Sequence, residues 1–429
     1  MKADVGAETW AVSRTYAWVV FALTFGLLLS DYMSRQVLVA VFPQLKADWR
    51  LNDAQLGGLV SIVALAVGVL TFPLSVLADR MGRVRSVAVM ALFWSLSTAS
   101  CGVAAHYDQM LVARLCIGVG EAAYGSVGAA VLFSVFPKHL RGTVQGAFMA
   151  GGVFGSVVGL GLGGAVASHF GWRAAFLCMA VFGAVLGGAY LVIVSEARIR
   201  PRHTLNDGPA ARLGPRFVSG ETVKTLIADL FSQPTARLTY LGSGVQMFLT
   251  ASMLAWVPSH LNRDYGLKPD KAAVLGAGFL LISACGMIAC GMIADYFSRR
   301  RAVRRATFCA VFSLVSAVLL GLAFLSPPGS LQLALIGAGL VTAGGFNGPA
   351  GALAADVTPL RAHASVMAVL TLSNNLIGLA PGPMVTGLLA DRLGLAAALR
   401  FVPAVGIIAA LIFLAAARSY ARYLGDENP

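Results

Sequence analysis

The sequence predicts an all-α membrane protein: twelve transmembrane helices in two pseudo-symmetric six-helix halves, with cytoplasmic N- and C-termini. Three observations carry this prediction. The 429 residues are 58% hydrophobic and 12% charged, with a mean hydropathy of +0.77, outside the range of soluble domains. About twelve apolar windows are long enough to cross a bilayer. The first six and the last six echo one another.

A hydrocarbon core of roughly 30 Å takes about 20 residues of helix. Windows of that length run over 16–41, 54–78, 86–105, 109–136, 143–167 and 173–195, and again over 236–258, 272–294, 302–325, 331–355, 363–389 and 396–417. The opening MKADVGAETWAVSRTY is polar and leads into a full-length span instead of a short apolar core with a cleavage site, so the first span is expected to be retained. Cys101, Cys116, Cys178, Cys285, Cys290 and Cys309 fall inside or at the ends of spans. They read as small core residues, not as a disulfide framework.

A formal net charge of +13 could suggest nucleic acid, but its distribution excludes that partner. With a cytoplasmic N-terminus, 22 of the 32 Lys and Arg fall on the cytoplasmic side, eight outside and two, Arg35 and Arg114, within spans. This is the positive-inside asymmetry of a multi-pass cell-membrane protein, inner-membrane if bacterial.

Residues 1–195 form the first half, 196–235 a cytoplasmic linker and 236–429 the second half. The linker opens rich in Arg, Pro and Gly. It closes on SGETVKTLIADLFSQP, where Val223, Leu226, Ile227, Leu230 and Phe231 recur at helical spacing between a capping Ser219 and Pro234. That predicts a short amphipathic helix on the membrane surface. The halves repeat: SVLADRMGRVR (75–85) aligns with GMIADYFSRRR (291–301), and FPKHLRGTVQGAF (136–148) with TPLRAHASVMAV (358–369). Such repetition is the signature of a rocker-type secondary transporter.

On ADRMGR, set among twelve spans, a central loop and the repeat, the chain resembles the major facilitator superfamily. The resemblance implies a central cavity lined by helices 1, 4, 7 and 10. It also implies a cytoplasmic gate of Asp79, Arg80, Gly82, Arg83 and Arg141 with Asp295, Arg299, Asp356 and Arg361. For Arg300, Arg301, Arg304 and Arg305 a solvated loop is the expectation. Within the superfamily, DYMSRQVLVAVFPQLKADWRLNDAQLGGL, ARLCIGVGEAAYGSVGAAVLFSVFP, GWRAAF and PLRAHASVMAVLTLSNNLIGLAPGPMVTGLLAD look like the Spinster family, which moves lysophospholipid-like and sphingoid molecules. The neighbouring anion:cation symporter family shares the acidic-basic element in helix 1 and the Arg followed by Glu in helix 4. The helix 1 frame Asp31-Tyr32-Met33-Ser34-Arg35 departs from the Spinster pattern, which is approximately Asn-Tyr-x-Asp-Arg. The acid therefore stands one turn closer to the cytoplasm.

Of the nineteen acidic residues, Asp31 and Glu121 lie deep in spans. A charge at the centre of a lipid-facing helix costs about 2.5–3.5 kcal/mol, so Asp31, Arg35, Arg114 and Glu121 are expected to pair in a polar cavity. Helix 1 runs outward and helix 4 inward, which brings the two acids to similar depth. The residues four and seven apart share a helical face. Asp31 and Glu121 are the candidates for proton coupling and the two arginines for anion binding; a static buried ion pair is the alternative. All six histidines (His106, His139, His169, His203, His260, His363) lie in loops or at span ends, so no buried His relay or metal site is expected.

Further candidate binding residues are Tyr32 and Tyr124 in the first half. In the second half they are Met247, Thr250, Trp256, Phe346, Asn347, Asn374 and Asn375, with Gln246 and Phe248 beside them. A helix-packing role is open for each. Gly151, Gly155, Gly159 and Gly163 give the fifth span a smooth face for a permanent or a sliding helix contact.

The expected activity is therefore non-enzymatic: proton-coupled transport of an amphipathic or lysophospholipid-like organic anion by alternating access. No cofactor beyond the proton is expected, and the protein should work as a monomer in the bilayer. A proton-coupled carboxylate symporter of the anion:cation type is the second reading, and a transport-inactive membrane sensor or scaffold the third.

Overall fold

Hydrophobic runs of span length become helices throughout the described residues, which are 12–137, 140–199, 230–298, 303–359 and 363–426 of a computed structural model. In order they are α1 (Arg14–Ala40), α2 (Phe42–Trp49), α3 (Asp53–Met81), α4 (Arg83–Val103), α5 (Tyr107–Glu121), α6 (Tyr124–Val135), α7 (Arg141–Phe170), α8 (Trp172–Ile193) and the short α9 (Glu196–Ile199). The series continues with α10 (Pro234–Asp264), α11 (Pro269–Ser298), α12 (Arg304–Leu325), α13 (Ser330–Ala343), α14 (Asn347–Asp356), α15 (His363–Ser373), a π-helical segment Asn374–Leu379, α16 (Pro381–Leu393) and α17 (Leu395–Asp426).

Eleven stretches among the described residues are long and apolar enough to cross a membrane, counting α5 with α6, α13 with α14 and α15 with α16 as single spans. α10, 31 residues long, supplies the twelfth; it is less apolar because Ser243, Gln246, Thr250, Ser252, Ser259 and His260 are buried along it. The amphipathic helix expected near 219–234 lies, but for its last residues, outside the described residues.

The chain forms two compact units that interleave in sequence. One comprises Met1–Val37 and Val69–Phe217, the other Leu38–Gly68 and Val218–Pro429. The division thus differs from a simple split at the linker, because the end of α1, α2 and the start of α3 pack with the second half. In the first unit α4 packs on α8 and α5. The α7 glycines lie against α1: a Cβ on Gly155 would stand 2.3 Å from the Leu29 carbonyl oxygen, and one on Gly159 would stand 2.6 Å from the Met33 Cα. In the second unit α17 packs on both α10 and α12.

Three spans depart from the continuous helices that hydropathy predicts. The fourth breaks between Glu121 and Tyr124, and the tenth between Ala343 and Asn347. Under the repeat that pairs 136 with 358, these breaks coincide: Glu121 corresponds to Ala343 and Tyr124 to Phe346. The eleventh widens to a π turn just before Pro381, with the Ala380 N–H donating to the Asn375 carbonyl at 2.8 Å. Proline has no N–H to continue the ladder, and the wider turn absorbs that loss.

Candidate functional site

The break in the fourth span sets the site. Glu121, the last residue of α5, is enclosed, with its side chain 0% exposed, and one Oε lies 2.7 Å from Nη2 of Arg35 on α1. The Nε of the same guanidinium is 3.4 Å from the Asp31 carboxylate one turn away. Asp31 is also enclosed, whereas the Arg35 side chain keeps 23% exposure. Arg114, buried on α5, donates to the Ser34 carbonyl at 3.2 Å. The Arg35 guanidinium carbon also sits 5.2 Å from the centre of the Tyr32 ring, which rests against Gly152. The α1–α7 glycine contact fixes the rotation of α1 and so aims Asp31, Tyr32 and Arg35.

The structure thus brings the four expected charges into one region, with Glu121 ion-paired to Arg35 on the other helix. Formally it is neutral: two guanidinium groups and two carboxylates. One added proton leaves a net positive charge at Arg35 and Arg114, which an organic anion can neutralise.

In the second unit the corresponding break is closed by neutral groups. The Ala343 carbonyl, left without a helical partner, accepts from Gln246 Nε2 at 3.3 Å and from the Thr250 hydroxyl at 3.1 Å. Gln246 also donates to Ser316. Ser243 donates to Asn374 Oδ1 at 2.6 Å, and the Asn375 amide to the Thr371 carbonyl at 2.8 Å. Asn347 caps its own turn by donating to the Gly344 carbonyl.

Three aromatic candidates prove to be interior. Tyr124 is fully buried and donates to the Thr24 carbonyl at 2.6 Å. Trp256 is fully buried against Phe42 and donates to the Pro383 carbonyl at 2.9 Å. Phe346 is enclosed beside Phe413 and the partly buried Met247. The polar atoms of Tyr124 and Trp256 are already used and all three surfaces are covered, so packing is what these side chains do. Tyr32, Met247 and Asn374 are half-buried.

Residues 24–380 match the description Major Facilitator Superfamily. The chain belongs to the Major Facilitator Superfamily. It is 23% identical over 381 residues to a hexuronate transporter of Bacillus subtilis (strain 168), covering 88% of each chain. It is 27% identical over 329 residues to a gallate transporter of Pseudomonas putida, covering 70% of this chain and 71% of that one. A crystal structure of a bacterial homolog of the human lysosomal transporter Spinster, inward-facing and unoccupied, superposes with a TM-score of 0.84 at 20% identity, over 96% of this chain and 98% of that one. At that identity the likeness establishes the fold.

As a superfamily member the protein is a multi-pass membrane transporter, not an enzyme. Its superfamily loop is only partly described. Asp79 lies on α3, its side chain outside the described part, and Arg299 and Arg361 lie outside the described residues. Gly82 holds φ of +94° between Arg80 and Arg83, a conformation that favours glycine, and the following helix start is capped by Glu196, which accepts from the Val84 N–H at 2.8 Å. Arg141 donates to the Phe133 carbonyl at 2.8 Å. Asp295 is exposed. Asp356 pairs with Arg305 and accepts from the Tyr420 hydroxyl at 3.3 Å. This corrects the expectation of a merely solvated Arg305: the turn into α12 brings it onto α14. His260 lies at the end of its span, as expected, and is buried there, 2.6 Å from Asp264 and 3.3 Å from Gln332.

The sequence reading missed one charged cluster entirely. At the end of the second unit opposite the superfamily loop's counterpart, Asp53 at the start of α3 is nearly enclosed. It takes both guanidinium nitrogens of Arg263 at 2.7 Å and the ammonium of Lys46. Its own backbone N–H and that of Ala54 donate to Asp391 of α16, at 2.6 and 2.9 Å. Glycines allow the approach: a Cβ on Gly57 would lie 2.3 Å from the Pro383 carbonyl oxygen, and one on Gly387 would lie 2.3 Å from that of Asp53.

Proposed function

We propose that this transporter is a proton-coupled symporter for small organic acids, of the anion:cation symporter type, in which Arg35 binds the substrate carboxylate and Glu121, with Asp31, carries the proton. The observation that supports this most is one arginine, its side chain partly exposed, held between two enclosed carboxylates. While both acids are ionised they engage Arg35 and leave little positive charge for a substrate. A proton on Glu121 releases that guanidinium to a carboxylate ligand, so proton and anion favour each other's binding. Loss of the proton returns Glu121 to Arg35 and expels the anion.

The relatives named for a hexuronate and for gallate both handle a carboxylate on a compact polar or aromatic body. This favours the carboxylate reading over a lysophospholipid-like cargo. Tyr32, half-buried beside Arg35, is then proposed as a contact for the rest of the substrate. The Asp53–Arg263–Lys46–Asp391 cluster is proposed to hold the second unit together at its end.

The test is uptake into proteoliposomes under an imposed pH gradient, with hexuronates, hydroxybenzoates and lysophospholipids as the panel. Acid-driven uptake of a small carboxylate supports the proposal. Uptake of lysophospholipid alone would reverse it in favour of lipid-like cargo, and no proton-linked uptake of any member would favour a sensor.

A further inference from the structure

Where α10 begins and α17 ends, the second unit holds a cavity of about 590 Å³. Gln233, just before α10, and Leu238 on it line one side, Arg418, Ser419 and Arg422 of α17 the other, and no carboxylate of the described residues lines it. The Thr235 hydroxyl donates to Ser419 Oγ at 2.9 Å and ties the helices together there. Arg418 and Arg422 are exposed, one turn apart on one face of α17, and neither makes an ion pair or hydrogen bond in the described structure. Like charges at that spacing repel, and an anion placed between them relieves the repulsion.

The surroundings say which anion. One to two turns further along each helix, away from the cavity, the surface turns aliphatic: Leu241 on α10, and Leu414 and Leu411 on α17, are all exposed. These helices are membrane spans, so the stripe faces hydrocarbon. A positive pocket continued by an apolar stripe along the span fits an amphiphile oriented like a bilayer lipid. The positive-inside asymmetry assigns this end to the cytoplasmic leaflet.

The geometry points to a binding site for an anionic phospholipid, its phosphate between Arg418 and Arg422 and an acyl chain along Leu414, Leu411 and Leu241. Basic pockets between spans recognise lipid headgroups by this combination of charge and depth. The site is separate from the proposed transport site and does not depend on the substrate assigned above.

The test is native mass spectrometry of the full-length protein with phosphatidylglycerol or phosphatidylcholine, for the wild type and the double variant Arg418→Gln, Arg422→Gln. Wild type should retain phosphatidylglycerol preferentially, and the double variant should lose that preference by about tenfold or more. Both substitutions are at exposed positions, and an unchanged melting temperature in phosphatidylcholine checks the fold. Should the variant melt lower there, Arg418→Lys, Arg422→Lys, which keeps the charge, must restore both melting and lipid preference. Equal retention of the two lipids by wild type, or an unaltered preference in the double variant, overturns the proposal. Displacement of the lipid by excess inorganic phosphate also overturns it, since the site would then serve a soluble anion.

Discussion

Arg35 of the first span meets Glu121 at the break in the fourth, nitrogen to oxygen at 2.7 Å, while the same guanidinium lies 3.4 Å from Asp31 on its own helix. One cation thus serves two acids from different elements. Any change of charge on one acid alters what Arg35 offers to the other and to a ligand.

Asp31→Asn keeps the shape of the side chain and removes one of the two claims on Arg35. The expected outcome is a weaker dependence of uptake on external pH with substrate exchange retained, measured as counterflow against pH-driven uptake in the same liposomes.

Arg35→Lys keeps the charge and loses the planar fork that reaches both carboxylates. Substrate affinity should fall about tenfold, the effect of roughly 1.4 kcal/mol. Arg35→Gln should abolish specific binding. Titration calorimetry with the transported acid reads both.

Gly155→Ala inserts a methyl group where the Leu29 carbonyl oxygen would be 2.3 Å away. Backbone cannot yield as a side-chain tip does, so destabilisation of about 1–3 kcal/mol is expected, seen as a lower melting temperature in detergent. Gly188→Ala on α8, with nothing within 4 Å, is the control and should melt like wild type.

Asp53→Asn removes the carboxylate that Arg263 and Lys46 share. Both cations are partly exposed, so a loss of about 1–2 kcal/mol is expected, less than for a fully buried pair. Asp391→Ala, which uncaps α3, should cost about 1 kcal/mol. Unchanged melting in both variants would show that the cluster does not hold this end together.

The fold was legible because membrane crossing depends on length and hydropathy, which a sequence displays directly. The four intramembrane charges stood out for the same reason: Asp31, Arg35, Arg114 and Glu121 interrupt apolar runs. The partner of Glu121 was less visible. Seven-residue spacing pointed to Arg114, whereas the helix break at Glu121 turns its carboxylate onto Arg35. The GEAAYG and AGGFNG stretches that break spans four and ten carry small residues, a weak signal that the repeat makes stronger. The cluster around Asp53 was hidden because Lys46, Arg263 and Asp391 each resemble an ordinary span-end charge, and up to 338 residues separate the partners. Tyr124, Trp256 and Phe346 were placed on a binding face by residue type, and it is helix rotation, invisible in composition, that turns them inward.

The central claim is that a proton moves with the substrate through Glu121. Its most direct measurement is internal acidification of proteoliposomes, followed with a trapped pH-sensitive dye, on adding the transported organic acid to wild type and to Glu121→Gln. Wild type should acidify in step with substrate entry, and Glu121→Gln should bind and exchange substrate with no substrate-linked acidification. Acidification by Glu121→Gln at the wild-type ratio of protons to substrate would contradict the claim.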